Sequence, residues 1–192
     1  MNLNEGILAV RFARSVIENN TGKVFGRVHL TESFTEPRGA FVTLKTYPDN
    51  RLRGCIGIPY PMLPLCDALT EAAKSACMDP RFPILEQHEL EHITVEVTIL
   101  DLPRVLDCPK SEVPSNIEVG KHGLIISYKG RRGLLLPQVP EEQGWNIQEY
   151  LEGICMKAGI LPDAWKDECA EISVFGGKVF HEEEPYGDIT EG

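Results

Sequence analysis

Residues 40–58 read AFVTLKTYPDNRLRGCIGI. Ala40 to Tyr47 is rich in β-formers, Pro48-Asp49-Asn50 turns the chain, and Arg51 to Ile58 returns as the partner strand. A helix follows Pro64, with Leu65, Ala68, Leu69, Ala72, Ala73 and Ala76 on one apolar stripe and Asp79-Pro80 as its stop. From His92 to Leu102, Ile93, Val95, Val97 and Ile99 alternate with polar neighbours, the pattern of a half-buried strand. The order is hairpin, helix, strand.

The same order recurs downstream. Leu124 to Tyr128 predicts a strand, Lys129-Gly130-Arg131 a turn, and Arg132 to Pro137 the return strand. A helix carrying Ile147, Tyr150, Leu151, Ile154, Cys155 and Ala158 follows, with Asn146 as cap, Glu149 three residues on, and Trp145 placed to staple against Tyr150. Gly159 ends it, Pro162 opens a helical turn through Trp165, and Ile172 to Phe175 begins a last strand. Arg-Gly stands in the return strand both times, at Arg53-Gly54 and Arg132-Gly133, which suggests a pseudo-repeat despite poor side-chain identity. Ahead of the first hairpin, Leu3, Ile7, Val10, Ala13 and Ile17 mark an amphipathic helix ended by Asn19-Asn20-Thr21-Gly22, and 23–39 reads as loop.

These 192 residues, 42% apolar and 25% charged, suit one soluble globular domain over 1–192, or two lobes joined near 103–118. No apolar run reaches membrane-span length and no signal-peptide pattern opens the chain. Six cysteines without a C-x-x-C pair predict a reduced, cytoplasmic protein whose thiols are mostly small core residues. A net charge of −10 argues against a general nucleic-acid binder. Five of the carboxylates fall in 182–192, which reads as a frayed acidic tail. Basic residues gather instead at the hairpins, at Arg51, Arg53, Lys129, Arg131 and Arg132, and leave room for a local anion site.

The run Leu52-Arg53-Gly54-Cys55-Ile56-Gly57 holds the sharpest chemistry. Gly54 and Gly57 allow a bulky group close to the backbone, while Arg53 could hold an anion or favour a thiolate at Cys55. Cys55 then becomes a candidate nucleophile, with His122 of Gly120-Lys121-His122-Gly123 as the candidate base. The competing reading, which we rank first, makes Cys55 a strand residue filling a gap between glycines. Arg53, Asp79 and Arg81 similarly divide between holding a phosphate or carboxylate and fixing the corner after the helix. Gln138, with Glu141, Glu142 and Gln143, divides between acid–base work and a solvated approach to a capped helix. His88-Glu89-Leu90-Glu91-His92 spells H-E-x-x-H, yet Pro83 upstream and the strand at His92 leave too little helix for that zinc chemistry. No metal site is expected there, and Gly176-Gly177 lacks the strand–helix setting of a nucleotide loop.

Taken together, Phe41-Val42-Thr43-Leu44, LRGCIG at 52–57, Asp79-Pro80-Arg81-Phe82-Pro83, Gly120-Lys121-His122-Gly123, GLLLPQV at 133–139, Lys157-Ala158-Gly159 and Asp163-Ala164-Trp165 resemble the AMMECR family. The resemblance covers nearly the whole chain. It implies an α+β fold of a larger and a smaller lobe, with mixed or antiparallel sheets and a cleft near the cysteine motif. It also implies likeness to protein A of the AmmeMemoRadiSam system, with a MEMO-like protein and a radical SAM protein as partners. No cofactor follows from it. The expected functions are, in order, an accessory or adaptor binding a small molecule, peptide or modified protein in a cleft near Cys55, with a small anionic ligand as a candidate; a thiol enzyme with Cys55 as nucleophile; and an RNA-associated protein.

Overall fold

The computed structural model describes residues 1–23, 26 and 28–192. Among these, the chain divides into two compact units: residues 1–101 with 177–192, and residues 102–176. The chain therefore passes from the first unit to the second and back again. The second passage is not evident from the sequence, which suggested a single joint at 103–118.

The first unit is a five-stranded antiparallel sheet in the order β2-β1-β3-β8-β9, with β1 Ala40–Thr46, β2 Leu52–Ile58, β3 Ile93–Leu100, β8 Gly177–Glu182 and β9 Ile189–Glu191. Its register aligns Val42 with Val97 and Val97 with Phe180, so one face is apolar across three strands. Helices α1 (Leu3–Asn20) and α2 (Leu65–Ala76) bury that face, with Ala9, Val10, Ala13, Ile17, Leu65 and Leu69 in a single core with it. Large side chains such as Leu69 and Phe180 each contribute roughly 1.5–3 kcal/mol by leaving water. α1 starts where Asn2 and Glu5 form a reciprocal cap. Gly6 lets it descend onto β8, since a Cβ there would sit 2.2 Å from the Phe180 ring.

The second unit is a four-stranded antiparallel sheet, β4-β7-β5-β6, with β4 Arg104–Val105, β5 Gly123–Tyr128, β6 Arg131–Leu135 and β7 Glu171–Phe175. A short helix α3 (Val139–Gln143) and then α4 (Ile147–Lys157) follow β6. Asn146 accepts from the Gln148 and Glu149 amides and Glu149 reaches back, as the sequence predicts. The Trp145 ring faces Gly153, where a Cβ would come within 2.6 Å, and packs against the core that contains Tyr150.

The suggested repeat is a repeat of topology. β1-β2-α2-β3 and β5-β6-α4-β7 share their order, and in each the last strand pairs with the first. The shared glycine has the same task in both. A Cβ at Gly54 would lie 2.3 Å from the Ala76 carbonyl oxygen at the end of α2; one at Gly133 would lie 2.9 Å from the Ile154 carbonyl oxygen and 2.8 Å from the Ala158 amide at the end of α4. A side chain at either position would push its helix off the sheet.

Other expectations need correcting. Part of the segment 23–39 lies outside the described residues, and the rest includes a 3-10 turn at Glu32–Thr35. Phe175 does not close the strand list, because β8 and β9 follow. The acidic tail is not frayed: Glu182 is 6% exposed, bound to Arg14 Nε and Nη2 and to the Val95 amide. The expected joint at 103–118 is more than a connection, since β4 and a 3-10 helix at Lys110–Asn116 belong to the second unit.

Candidate functional site

β2 is an edge strand, and edge strands leave every second residue's N–H and C=O facing outward. At Cys55 both groups are taken. Its amide donates to Asp79 Oδ2 at 2.9 Å and its carbonyl accepts from Arg81 Nη2 at 3.1 Å. Arg81 is clamped in turn, its amide and Nε on Asp79 Oδ1 at 3.0 Å and Nη2 on Oδ2 at 2.6 Å. An aspartate and an arginine thus stand in for the missing neighbour strand. Asp79 is 1% exposed, and the Arg81 guanidinium holds its carboxyl well below the usual carboxylate range. The Arg81 side chain is 55% exposed, and its Nη1 has no partner among the described residues. These contacts fix the corner after α2, one of the two readings that the sequence leaves open for Asp79 and Arg81.

Arg53, by contrast, is already spent. The register runs from Leu44 opposite Gly54 to Lys45 opposite Leu52, so Arg53 is the extra residue of a bulge. Its Nε and Nη2 fork onto Glu89 at 2.8 Å each, side chains 10% and 25% exposed. An anion ligand would have to displace Glu89. Gly54 and Gly57 also answer to packing: Gly54 to α2, and Gly57 to the Phe41 ring, 2.2 Å from where its Cβ would be.

Register assembles a row that no local motif shows. On the sheet face opposite α1 and α2, Cys55 lies beside Thr43, Thr43 beside Glu96, Glu96 beside His181, and His181 beside Thr190. The Thr43 hydroxyl donates to Cys55 Sγ at 3.3 Å. Lys45 Nζ binds Glu96 Oε2 at 2.7 Å, and the His181 Nε2 is 3.3 Å from Thr190 Oγ1. Thr43 is 8% exposed, while Cys55, Glu96 and His181 are half-buried.

The second unit offers an internal comparison. Aligning Gly133 with Gly54 sets Leu134 in the place of Cys55, Ile125 in that of Thr43 and Ser173 in that of Glu96. The framework accepts apolar residues at the two positions where the first unit carries a thiol and a hydroxyl in contact.

His122 and Gln138 belong to the second unit, Cys55 to the first. His122 Nδ1 accepts from the Glu118 amide at 3.1 Å and its carbonyl accepts from Tyr150 Oη at 3.0 Å, both fixing its own loop. Gln138 is exposed at the start of α3, with Glu141 and Glu142 in the first turn. The H-E-x-x-H stretch forms a 3-10 helix, Gln87–His92, with Glu89 turned to Arg53 and His88 exposed. Among the described residues no group of three His, Cys, Asp or Glu could hold a metal ion. Only Cys77 and Cys155 are buried core thiols, the first pushed up to about 11 by burial, whereas Cys169 is exposed. No helix among the described residues is long and apolar enough to cross a membrane.

Three comparisons place the chain. A protein of Methanocella arvoryzae is 50% identical over all of this chain and 98% of its own length. A protein of Methanocaldococcus jannaschii, MJ0810, is 50% identical over all of this chain and 96% of its own. The crystal structure of the uncharacterised protein PH0010 from Pyrococcus horikoshii superposes with a TM-score of 0.79 at 40% identity, covering 100% of this chain and 98% of that one. The AMMECR1 family model matches residues 10–180. With the family model, the relatives and the shared fold in agreement, this chain belongs to the AMMECR1 family.

Proposed function

We propose that the protein is a binding component, an accessory or adaptor of the cytoplasm, that recognises an anionic group of a small molecule, peptide or modified protein at the corner formed by Cys55 and Arg81. The MEMO-like and radical SAM partners implied by the family resemblance are its natural setting. One observation carries the reading: the Asp79–Arg81 clamp on Cys55. A guanidinium that is fixed on one side by a buried carboxylate, and keeps two N–H donors on Nη1, loses little entropy when it meets an anion. Beside it stands a half-buried thiol with a threonine hydroxyl on its sulfur.

The second reading, a thiol enzyme with Cys55 as nucleophile, is favoured by that Thr43 contact alone. It lacks the proposed help of Arg53, which Glu89 occupies.

One experiment separates them. The full chain is alkylated with iodoacetate or iodoacetamide, and labelling at Cys55 and at exposed Cys169 is followed by peptide mass mapping. Binding at the corner raises the iodoacetate preference of Cys55 at least about fivefold over Cys169, the worth of one charge-assisted contact. The preference saturates, falls with added phosphate, and disappears in Arg81→Gln. Equal preferences at the two cysteines overturn the binding reading. A Cys55 rate that inflects well below the ordinary thiol range of about 8.5, without any anion preference, favours the enzyme.

A further inference from the structure

The first unit has a cavity of about 410 Å³ between α1 and the loop joining β8 to β9. Its volume falls in the range of small-molecule sites. Leu8, Val28 and Ile189 give it apolar walls. Its floor is the pair Arg14–Glu182, buried and self-cancelling: Arg14 spends Nε and Nη2 on Glu182, Nη1 on the Leu90 carbonyl and Nη2 also on that of Ile93. Arg11 is the third charge on the lining. It is exposed and has no partner among the described residues. In a chain of net charge −10, the described lining of this cavity carries one uncompensated positive charge.

Tyr186 and Gly187 of the β8–β9 loop complete the described lining, and the Tyr186 wall is built at a cost. Tyr186 stands at φ +64, a left-handed conformation that bulky residues rarely adopt. The strain is held from two sides. Its ring stacks on the Arg14 guanidinium, 4.3 Å from the centroid, and its hydroxyl donates to Glu18 Oε1 at 3.0 Å while accepting from Lys23 Nζ at 3.1 Å. Under it, Glu18 is fully buried, with Oε2 lacking a donor among the described residues. A loop that only joined two strands would have no need of a strained tyrosine over a buried ion pair.

We propose that this cavity is a second binding site, distinct from the Cys55 corner, for a small amphipathic anion: a carboxylate on a short apolar body, with Arg11 as its charge partner and Leu8, Val28 and Ile189 around the apolar part. An amine of the same size is rejected, because its charge would meet Arg11.

The test is titration of the full chain with hexanoate and with hexylamine, following the Leu8 and Ile189 methyl resonances by NMR. Hexanoate shifts both methyls and saturates in the millimolar range, about what one charge contact and a short chain supply; hexylamine does not. Arg11→Gln, an exposed change that leaves the fold alone, weakens hexanoate at least about fivefold. Val28→Trp fills the cavity and abolishes the shifts with Arg11 intact. The proposal is overturned if the methyls stay still up to about 10 mM hexanoate, if hexylamine moves them equally, or if Arg11→Gln has no effect.

Discussion

Removing Asp79 should cost more stability than removing the arginine it holds, and the two losses should not add. Asp79 accepts four bonds, from the Cys55 amide, the Arg81 amide, Arg81 Nε and Arg81 Nη2, at 2.6–3.0 Å. Asp79→Ala leaves the Cys55 amide facing a cavity on an edge strand, a loss of about 1–3 kcal/mol. The ion pair adds less than a buried pair would, because the Arg81 side chain is 55% exposed and turns to water when freed. The expected total is about 3 kcal/mol for Asp79→Ala. Arg81→Ala removes two contacts to Asp79 and one to the Cys55 carbonyl but admits water to the carboxylate, for about 2 kcal/mol. The double variant should stay near 3 kcal/mol, since most of what Arg81 contributes passes through Asp79. Urea unfolding of the four proteins closes the cycle, and amide exchange at Cys55 reports the cap directly: its protection falls in Asp79→Ala. The pH dependence has a definite sign. The folded carboxyl titrates below its unfolded value, so its contribution is complete above about pH 4 and drains away as pH falls toward the folded value. Strict additivity in the cycle, or a cost below about 1 kcal/mol for Asp79→Ala, would refute the reasoning.

Gly54→Ala and Gly133→Ala should each lower stability by at least about 2 kcal/mol in urea unfolding, because the new Cβ meets backbone of α2 or α4 that cannot rotate away. Gly130→Ala, in the open hairpin turn at φ +79, should cost only about 1 kcal/mol of backbone strain. Glu182→Gln leaves Arg14 buried and half-paired and should cost about 3 kcal/mol or more, which would show that the C-terminal strands are integral; no change in melting would return them to the status of a tail. Exchanging Thr43 and Cys55 for their counterparts in the second unit, Thr43→Ile with Cys55→Leu, should shift stability by less than about 2 kcal/mol while removing the thiol on which the proposed iodoacetate preference depends.

What the sequence made legible was local. The hairpin 40–58 shows its alternation, and α4 shows its cap because Asn146 and Glu149 need only each other and the backbone. What it hid depends on residues far apart. Glu182 reads as one acid among five until Arg14, 168 positions earlier, is found to hold it. Arg53 looks available for an anion until a bulge turns it to Glu89, 36 positions on. H-E-x-x-H is legible as too short for zinc chemistry, but the task of its Glu89, holding Arg53 from a 3-10 helix, is not. Cys55, Thr43, Glu96, His181 and Thr190 lie on five strands, and only the register makes them one row. A slip of one residue in any strand would scatter it.

The two units together separate what the framework needs from what the first unit adds. Hairpin, helix and third strand, with a glycine under the helix end, are common to both, so Gly54 is explained without any ligand. The same reasoning cannot explain Cys55, because the second unit builds that strand with Leu134 and its neighbour with Ile125. Nor does edge protection require a thiol: the Asp79–Arg81 cap grips only the backbone of residue 55, through its N–H and C=O, and would serve any side chain. The sulfur, the Thr43 hydroxyl upon it and the Arg81 Nη1, unpartnered among the described residues, are what remain once fold and edge are accounted for. A site whose distinctive atoms are left over after stability has been satisfied is better explained by something it binds than by the structure it sits in.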